Sequence, residues 1–200
     1  MLMSANKSRP VYPDRLVLDP AGRRHVVACL GAEAAAVLAE TLADPANPPI
    51  DASVRVLLAG AVAVPVSSNR VPAVEAVLFR DETHLLAELS HLLENARMGL
   101  RLYGIGPESF LWAVDRLAQP HAFGKGEVVK FPTGSEARRI YCCHCKAVTA
   151  GVTDSIHVCA GCGLVLQVRD HFSRRLGAFM AVRADAEAPG EFPDREELYP

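Results

Sequence analysis

The sequence predicts an α/β protein in two parts: a parallel sheet covered by helices, then a small ribbon built on cysteines. Three observations carry this. Apolar strand-like runs alternate with helix-length amphipathic segments as far as Ala118. Two Cys-x-x-Cys pairs follow, Cys142 with Cys145 and Cys159 with Cys162, with thirteen residues between them. The chain has 200 residues, 50% of them hydrophobic, enough for one main core and a small satellite.

Residues 1–23 are polar and broken by Pro10, Pro13 and Pro20, the pattern of an extended N-terminal arm. Arg24 to Leu30 reads as a buried strand that Gly31 ends. Ala32 to Leu42 is alanine-rich with Val37, Leu38 and Leu42 on one side, a helix; Asp44-Pro45 and Asn47-Pro48-Pro49 stop it. Val54 to Val66 is too β-branched for a helix and reads as a strand running into a loop, and Val74 to Phe79 as a further buried strand. Asp81 caps a helix from Glu82 to Ala96 with the stripe Leu85, Leu86, Leu89, Leu92 and Leu93. Leu100 to Tyr103 is another strand, and Gly106-Pro107 opens a helix to Ala118 with Phe110, Val114 and Leu117 inward. Strands and helices alternating in this way require parallel pairing, so residues 24–122 are expected to form a small Rossmann-like domain. From His121 to Ser135 the glycines and Pro132 read as a linker with one short strand, Glu127 to Phe131. Residues 123–182 are assigned to the ribbon domain and 183–200 to an acidic tail.

Two tight turns that each offer two thiolates to one ion fit a tetrahedral zinc ribbon, with Cys142, Cys145, Cys159 and Cys162 as ligands. Four protein ligands leave no open position. The expected site is therefore structural, and no catalytic residue is assigned. A rubredoxin-like iron uses the same four thiolates. Cys143 stands beside Cys142, but only Cys142 gives the Cys-x-x-Cys bite with Cys145. His144 and His157 read as neighbours of the site or as exposed, and Cys29 as a small apolar residue of a buried strand. With five of six cysteines in this stretch, the usage fits metal binding in a reducing cytosol and not disulfides.

Other polar clusters have plainer readings. His84 and His91, with Glu88 between them and Asn95 beyond, read as a solvated helix face. Asp170, His171 and Ser173 are close in sequence, which does not build a triad; His171 as a haem ligand rests on residue type alone. Arg174 and Arg175 beside Phe172, Leu176, Phe179 and Met180 have an interface composition. Together with the closing Leu198-Tyr199-Pro200, they are expected to order against a partner chain. A net charge of −2 and the modest basic set Arg138, Arg139, Lys146, Arg169, Arg174 and Arg175 argue against a nucleic-acid partner. No apolar run approaches the roughly 20 residues of a bilayer span. Met1 to Asp14 lacks the apolar core of a signal peptide. A cytoplasmic chain with no membrane contact is expected.

Leu102-Tyr103-Gly104-Ile105-Gly106-Pro107-Glu108-Ser109-Phe110, ahead of Trp112-Ala113-Val114, resembles the Gly-Pro-x-x-Phe segment after the last main strand of the nicotinamide-binding half of ferredoxin reductases. Ile105 stands where that family has a cysteine. The family's glycine-rich loop is matched by Ala59-Gly60-Ala61-Val62-Ala63-Val64-Pro65, which keeps one glycine. The added Cβ atoms block close backbone approach to a pyrophosphate, so no cofactor-binding residue is assigned. Phe123-Gly124-Lys125-Gly126-Glu127, the double Cys-x-x-Cys and Val168 to Met180 resemble the small A subunit of bacterial dimethylamine monooxygenases, over Leu100 to Pro200. That resemblance implies a noncatalytic zinc subunit of a haem-dependent complex that oxidises dimethylamine to methylamine and formaldehyde with NAD(P)H and oxygen. Haem, FMN and a 2Fe–2S cluster are then expected in the haem-bearing and reductase partner subunits, which this chain would hold together. Two other classes stay open: a nicotinamide-binding reductase component, and a ribbon-based nucleic-acid module.

Overall fold

In the computed structural model, which describes residues 8–61 and 71–200, the strand Arg24–Leu30 (β1) is apolar on both faces and so takes the middle of a sheet. It pairs on one side with Val54–Ala59 (β2) and on the other with Leu100–Gly106 (β4). Val74–Phe79 (β3) and Val128–Pro132 (β5) form the edges, giving the all-parallel order β3-β2-β1-β4-β5. This sheet and its helices make up one unit, residues 12–134.

Alternation along the strands divides the apolar side chains between two cores. Val27, Cys29, Val56, Leu58, Tyr103 and Ile105 pack with Ala34, Ala35, Leu38 and Leu42 of the helix Ala32–Ala43 (α1). On the opposite face Val26, Ala28, Leu57 and Leu102 meet Leu85, Leu89 and Leu93 of Glu82–Glu94 (α2), and Phe110, Leu111 and Val114 of Glu108–Ala118 (α3). Each Val, Leu, Ile or Phe side chain taken from water in this way contributes about 1.5–3 kcal/mol. Asp81 caps α2 as its position predicts, its carboxylate accepting from the His84 N–H at 3.0 Å. Strand order reverses between β1 and β4, where the first strand turns at Gly31 into α1.

The structure differs from the sequence reading at four places in this unit. β2 ends at Ala59, and positions 62–66, including the loop residues Val62 to Pro65, lie outside the described residues. β4 runs on to Gly106 instead of stopping at Tyr103. The short strand expected at Glu127 to Phe131 is β5, and its residues Val128 to Pro132 join the sheet by pairing with Leu102 to Gly106. The α/β unit consequently extends to Gly134, past the boundary drawn at residue 122. Residues 12–23 are not a free arm either. Leu16 and Leu18 are 3% exposed in the α1-side core, the Asp19 carboxylate accepts from Arg101 Nε at 2.6 Å, and the Asp19 N–H donates to the Tyr103 hydroxyl.

Residues 135–200 with residues 8–11 form the second unit. Its sheet has the order β7-β6-β10-β9-β8, built from Arg138–Cys142 (β6), Val148–Val152 (β7), Ile156–Val158 (β8), Val165–Ser173 (β9) and Ala178–Arg183 (β10). All pairs are antiparallel except β6 with β10. One face buries Ile140, Val152, Leu166, Val168, Phe179 and Ala181, together with Tyr199 from the tail.

This face overturns the expected partner-docking surface. Phe179 is 3% exposed and Phe172 meets it edge-on with ring centroids 4.8 Å apart, because a five-stranded sheet has a face that a bare ribbon lacks. The tail orders on its own unit. The Leu198 and Tyr199 N–H groups donate to the Thr153 carbonyl, and the Glu136 N–H donates to the Pro200 carbonyl. Arg138, assigned to a basic surface, is 6% exposed. Its guanidinium lies between the rings of Phe179 and Tyr199, 4.0 and 3.6 Å from their centroids, and pairs with Asp170 at 3.0 Å. Asp170 also takes Arg9 at 2.6 Å, beside the Ser8 N–H that donates to the Asp170 carbonyl. Removing one partner of such a buried pair costs about 3–5 kcal/mol. Arg174 and Arg175 do remain exposed.

His25, at the start of β1, is 1% exposed and stacks on Tyr103 with ring centroids 5.9 Å apart. Burial holds its pKa below the ordinary imidazole value, against the opposing pull of the Gly22 backbone and Asp19. The unfolded chain therefore takes up a proton as pH falls through about 6.5, before the folded chain does, so stability held above that pH is lost below it. The expected outcome is a denaturant midpoint that falls between pH 7 and pH 5, with a shallower fall in His25→Phe. Equal slopes in the two proteins would remove His25 as the cause.

Candidate metal centre

Each Cys-x-x-Cys lies in the turn of a hairpin, and the two turns are built alike. In the β6–β7 turn the Cys142 N–H donates to the Ala147 carbonyl (2.9 Å) and the Lys146 N–H to the Cys142 carbonyl (3.0 Å). In the β8–β9 turn the Cys159 N–H donates to the Leu164 carbonyl (2.9 Å) and the Gly163 N–H to the Cys159 carbonyl (2.8 Å). The residue after each second cysteine is left-handed, Lys146 at φ 70° and Gly163 at φ 73°. Backbone N–H groups then point at sulfur: Ala147 at Cys145, Gly161 and Cys162 at Cys159, and Leu164 at Cys162.

The four sulfurs converge to within 4.8 Å of one another. Cys142 Sγ is 3.9 Å from Cys162 Sγ, and Cys145 Sγ is 3.6 Å from Cys159 Sγ. A tetrahedron of ~2.3 Å metal–sulfur bonds has edges of about 3.8 Å, so the donors fit one zinc-sized ion. The same separations are far beyond a disulfide bond, and all six cysteines are free. Cys142 and Cys159 are 1% and 2% exposed and belong to the core of this unit, which fixes half of the cluster against Ile140, Leu166 and Ala181.

The thiols do not titrate alike. Burial raises Cys159, but the N–H groups of Cys162 and Gly161 outweigh it and bring its pKa down to about 7. The Leu164 N–H lowers Cys162, but burial and the three neighbouring sulfurs push it up to about 12. One thiolate forms readily; four in this space require a cation.

A family described as dimethylamine monooxygenase subunit DmmA-like matches through its N-terminal domain at residues 4–128 and through its C-terminal domain at residues 139–182. The chain belongs to this family. The heme-dependent oxidative N-demethylase delta subunit of Ectopseudomonas mendocina (strain ymp) is 38% identical over 101 residues, covering 50% of this chain and 58% of that one. The match thus spans little more than half the length of that relative. Among solved structures, the siderophore-interacting protein SipS from Aeromonas hydrophila is similar with a TM-score of 0.41 at 14% identity, over 56% of this chain and 46% of that one. Phthalate dioxygenase reductase is similar with a TM-score of 0.38 at 12% identity, over 71% and 46%.

In this DmmA-like chain the remaining candidates stay apart from the sulfur cluster. Cys143 is half-buried, its N–H donates to the Ala181 carbonyl, and burial raises its thiol pKa. His144 is exposed. His84 pairs with Asp81 and His91 with Glu94, both on the solvent side of α2. Among the described residues the four cysteines are the one group of side chains arranged to hold a metal. Gly104 and Gly106 serve packing. A Cβ on Gly104 would meet Leu111 at 3.3 Å, and one on Gly106 would meet Phe110 at 2.9 Å, so α3 can seat closely on β4 only over glycine.

Position 161 is the feature that sequence reasoning passed over, since Gly161 lies inside a Cys-x-x-Cys where many residues fit. Here a Cβ would lie 2.9 Å from Ala147 Cβ and 3.1 Å from Cys145 Sγ. Gly161→Ala is expected to displace the second turn and speed metal loss to a chelator. Lys146→Gly, which relieves a left-handed side chain, is expected to leave that rate unchanged or slower, as followed with a chromogenic chelator.

Proposed function

We propose that this chain is a noncatalytic, zinc-binding subunit of a haem-dependent amine N-demethylase complex, in which it holds the haem-bearing and the flavin/iron-sulfur reductase subunits in register. The observation that carries the reading is a closed four-sulfur site in a member of this family. All four donors are protein side chains, so a metal held there has no position left for substrate and serves the fold. Four thiolates favour zinc, which brings no redox chemistry of its own. The family description supports dimethylamine as the amine, and the relative from Ectopseudomonas mendocina supports a haem-dependent oxidative N-demethylation. Haem, FMN and a 2Fe–2S cluster then belong to partner chains in the cytoplasm. Among the described residues no helix is long and apolar enough to cross a membrane.

In this reading the α/β unit carries no nicotinamide. Where β1 meets α1 the helix opens on a single glycine, Gly31, and places Glu33 in its first turn, a negative charge where a pyrophosphate would need N–H groups and a positive end. The glycines of β4 are taken up by Leu111 and Phe110.

Affinity capture of the tagged chain at native expression level, with absorbance and metal analysis, tests the proposal. The expected eluate contains haem and flavin chains and about one zinc per copy of this chain. Cys159→Ser is expected to lose the zinc and to expose residues 135–200 to protease while residues 12–134 stay resistant. Elution without haem and flavin would refute the subunit role. A zinc-free wild-type chain, or an unaltered protease pattern in the variant, would refute the structural metal. Micromolar NADH binding by calorimetry would replace this reading with the reductase one.

A further inference from the structure

The second unit contains a cavity of about 660 Å³ on the face of its sheet opposite the core. Side chains alternate along β9 and β10, so while Leu166, Val168, Phe179 and Ala181 fill the core, Gln167, Arg169, His171, Met180 and Val182 floor the cavity. The tail builds the outer wall. Arg183 grips Asp185 through both nitrogens of its fork, and Asp185 accepts the Gly190 N–H at 3.1 Å, which folds residues 186–190 into a loop and returns Phe192 and Pro193 over the sheet. The wall is tied down further along, where the Ser155 N–H donates to the Glu196 carbonyl and the Glu196 N–H to the Ser155 hydroxyl.

The charges in this cavity are unevenly matched. Arg183 is neutralised by Asp185. Arg169, half-buried in the floor, donates to the neutral Gln167 carbonyl oxygen at 3.0 Å and has no carboxylate partner among the described residues. His171 Nδ1 is buried beside it without a hydrogen-bond partner among the described residues. Glu187 and Glu191 stand exposed at the rim. Met180, Val182 and Pro193 supply apolar lining, and Phe192 is 52% exposed at the mouth.

We propose that this cavity is a binding site for a small organic anion, a carboxylate- or phosphate-bearing molecule with an apolar body. The anionic head sits on the Arg169 fork beside His171, and the body lies between Met180, Val182 and Phe192. A guanidinium presents parallel donors that match a carboxylate or phosphate edge, and a half-buried one gains most from such a partner. The volume lies in the range of about 300–1,000 Å³ that suits small-molecule sites. The proposal stands apart from subunit assembly and from the metal.

The test uses the full zinc-loaded chain with 8-anilinonaphthalene-1-sulfonate as the anionic probe and N-phenyl-1-naphthylamine as its neutral counterpart. Saturable binding of the anion with enhanced fluorescence is expected. Arg169→Gln weakens it by about tenfold or more, the loss of a charge-assisted hydrogen bond, and leaves the neutral probe unaffected. Val182→Trp, which fills the cavity from the neighbouring strand, weakens both probes. Displacement by benzoate or by phenyl phosphate distinguishes the head groups. Unchanged anion affinity in Arg169→Gln overturns the proposal, and so does equal binding of both probes in Val182→Trp and the parent. Zinc content equal to the parent's certifies that each variant is folded.

Discussion

Four sulfurs held within 4.8 Å of one another are a demand for positive charge, and much of the second unit follows from it. The cluster joins the tips of two hairpins, β6–β7 and β8–β9, which β10 separates in the sheet. Without a cation the cluster cannot hold four thiolates together, and the two tips lose that link. Metal binding in small four-ligand modules is worth about 10–16 kcal/mol, comparable to the net stability of a whole domain at about 5–15 kcal/mol. The N–H groups aimed at sulfur and the buried flanks of Cys142 and Cys159 preorganise the site, so that the ion meets donors already near their final places.

The Arg138 stack does for the other end of the unit what the sulfurs do for the tips. It joins β6, β9, β10, the tail and the N-terminal residues through one guanidinium, two rings and one carboxylate. Burying an arginine is tolerable only when its charge is paired and its planar faces are covered, and here both conditions are met. The tail is thereby a structural element of its own unit, which spends Phe179 and Tyr199 on the unit's core.

Much of this architecture could be read from the residues. β1, the leucine stripe of α2, the Asp81 cap and the four cysteines each carry a local pattern of period, cap or spacing. The misses are non-local or weakly patterned. A short strand is legible at Glu127 to Phe131, but its place in the sheet is not, because only the pairing with β4 makes β5 part of the α/β unit. Arg138 looks like a surface residue until Phe179 and Tyr199, far along the chain, are brought to its two faces. Leu16 and Leu18 alternate as a packed extended segment does, but the prolines around them give the same stretch the pattern of an arm. The reason for the glycines of β4, the close seating of α3, needs the neighbouring helix.

The parallel pairing of β6 with β10 has a consequence for how the unit is made. Ile140 meets Phe179 across it, so both cysteine turns are inserted between two strands that must find each other late. Synthesis proceeds at about 5–20 residues per second from the N-terminus, and all four thiols have left the ribosome's active centre by Cys162, before Ala178–Arg183 exists as chain. Until β10 joins the sheet, the thiols are organised by their own turns alone, without the core that later shields Cys142 and Cys159. Metal supply while the unit folds, and the oxidants present then, therefore bear on its yield in a way that the stability of the finished fold does not reveal.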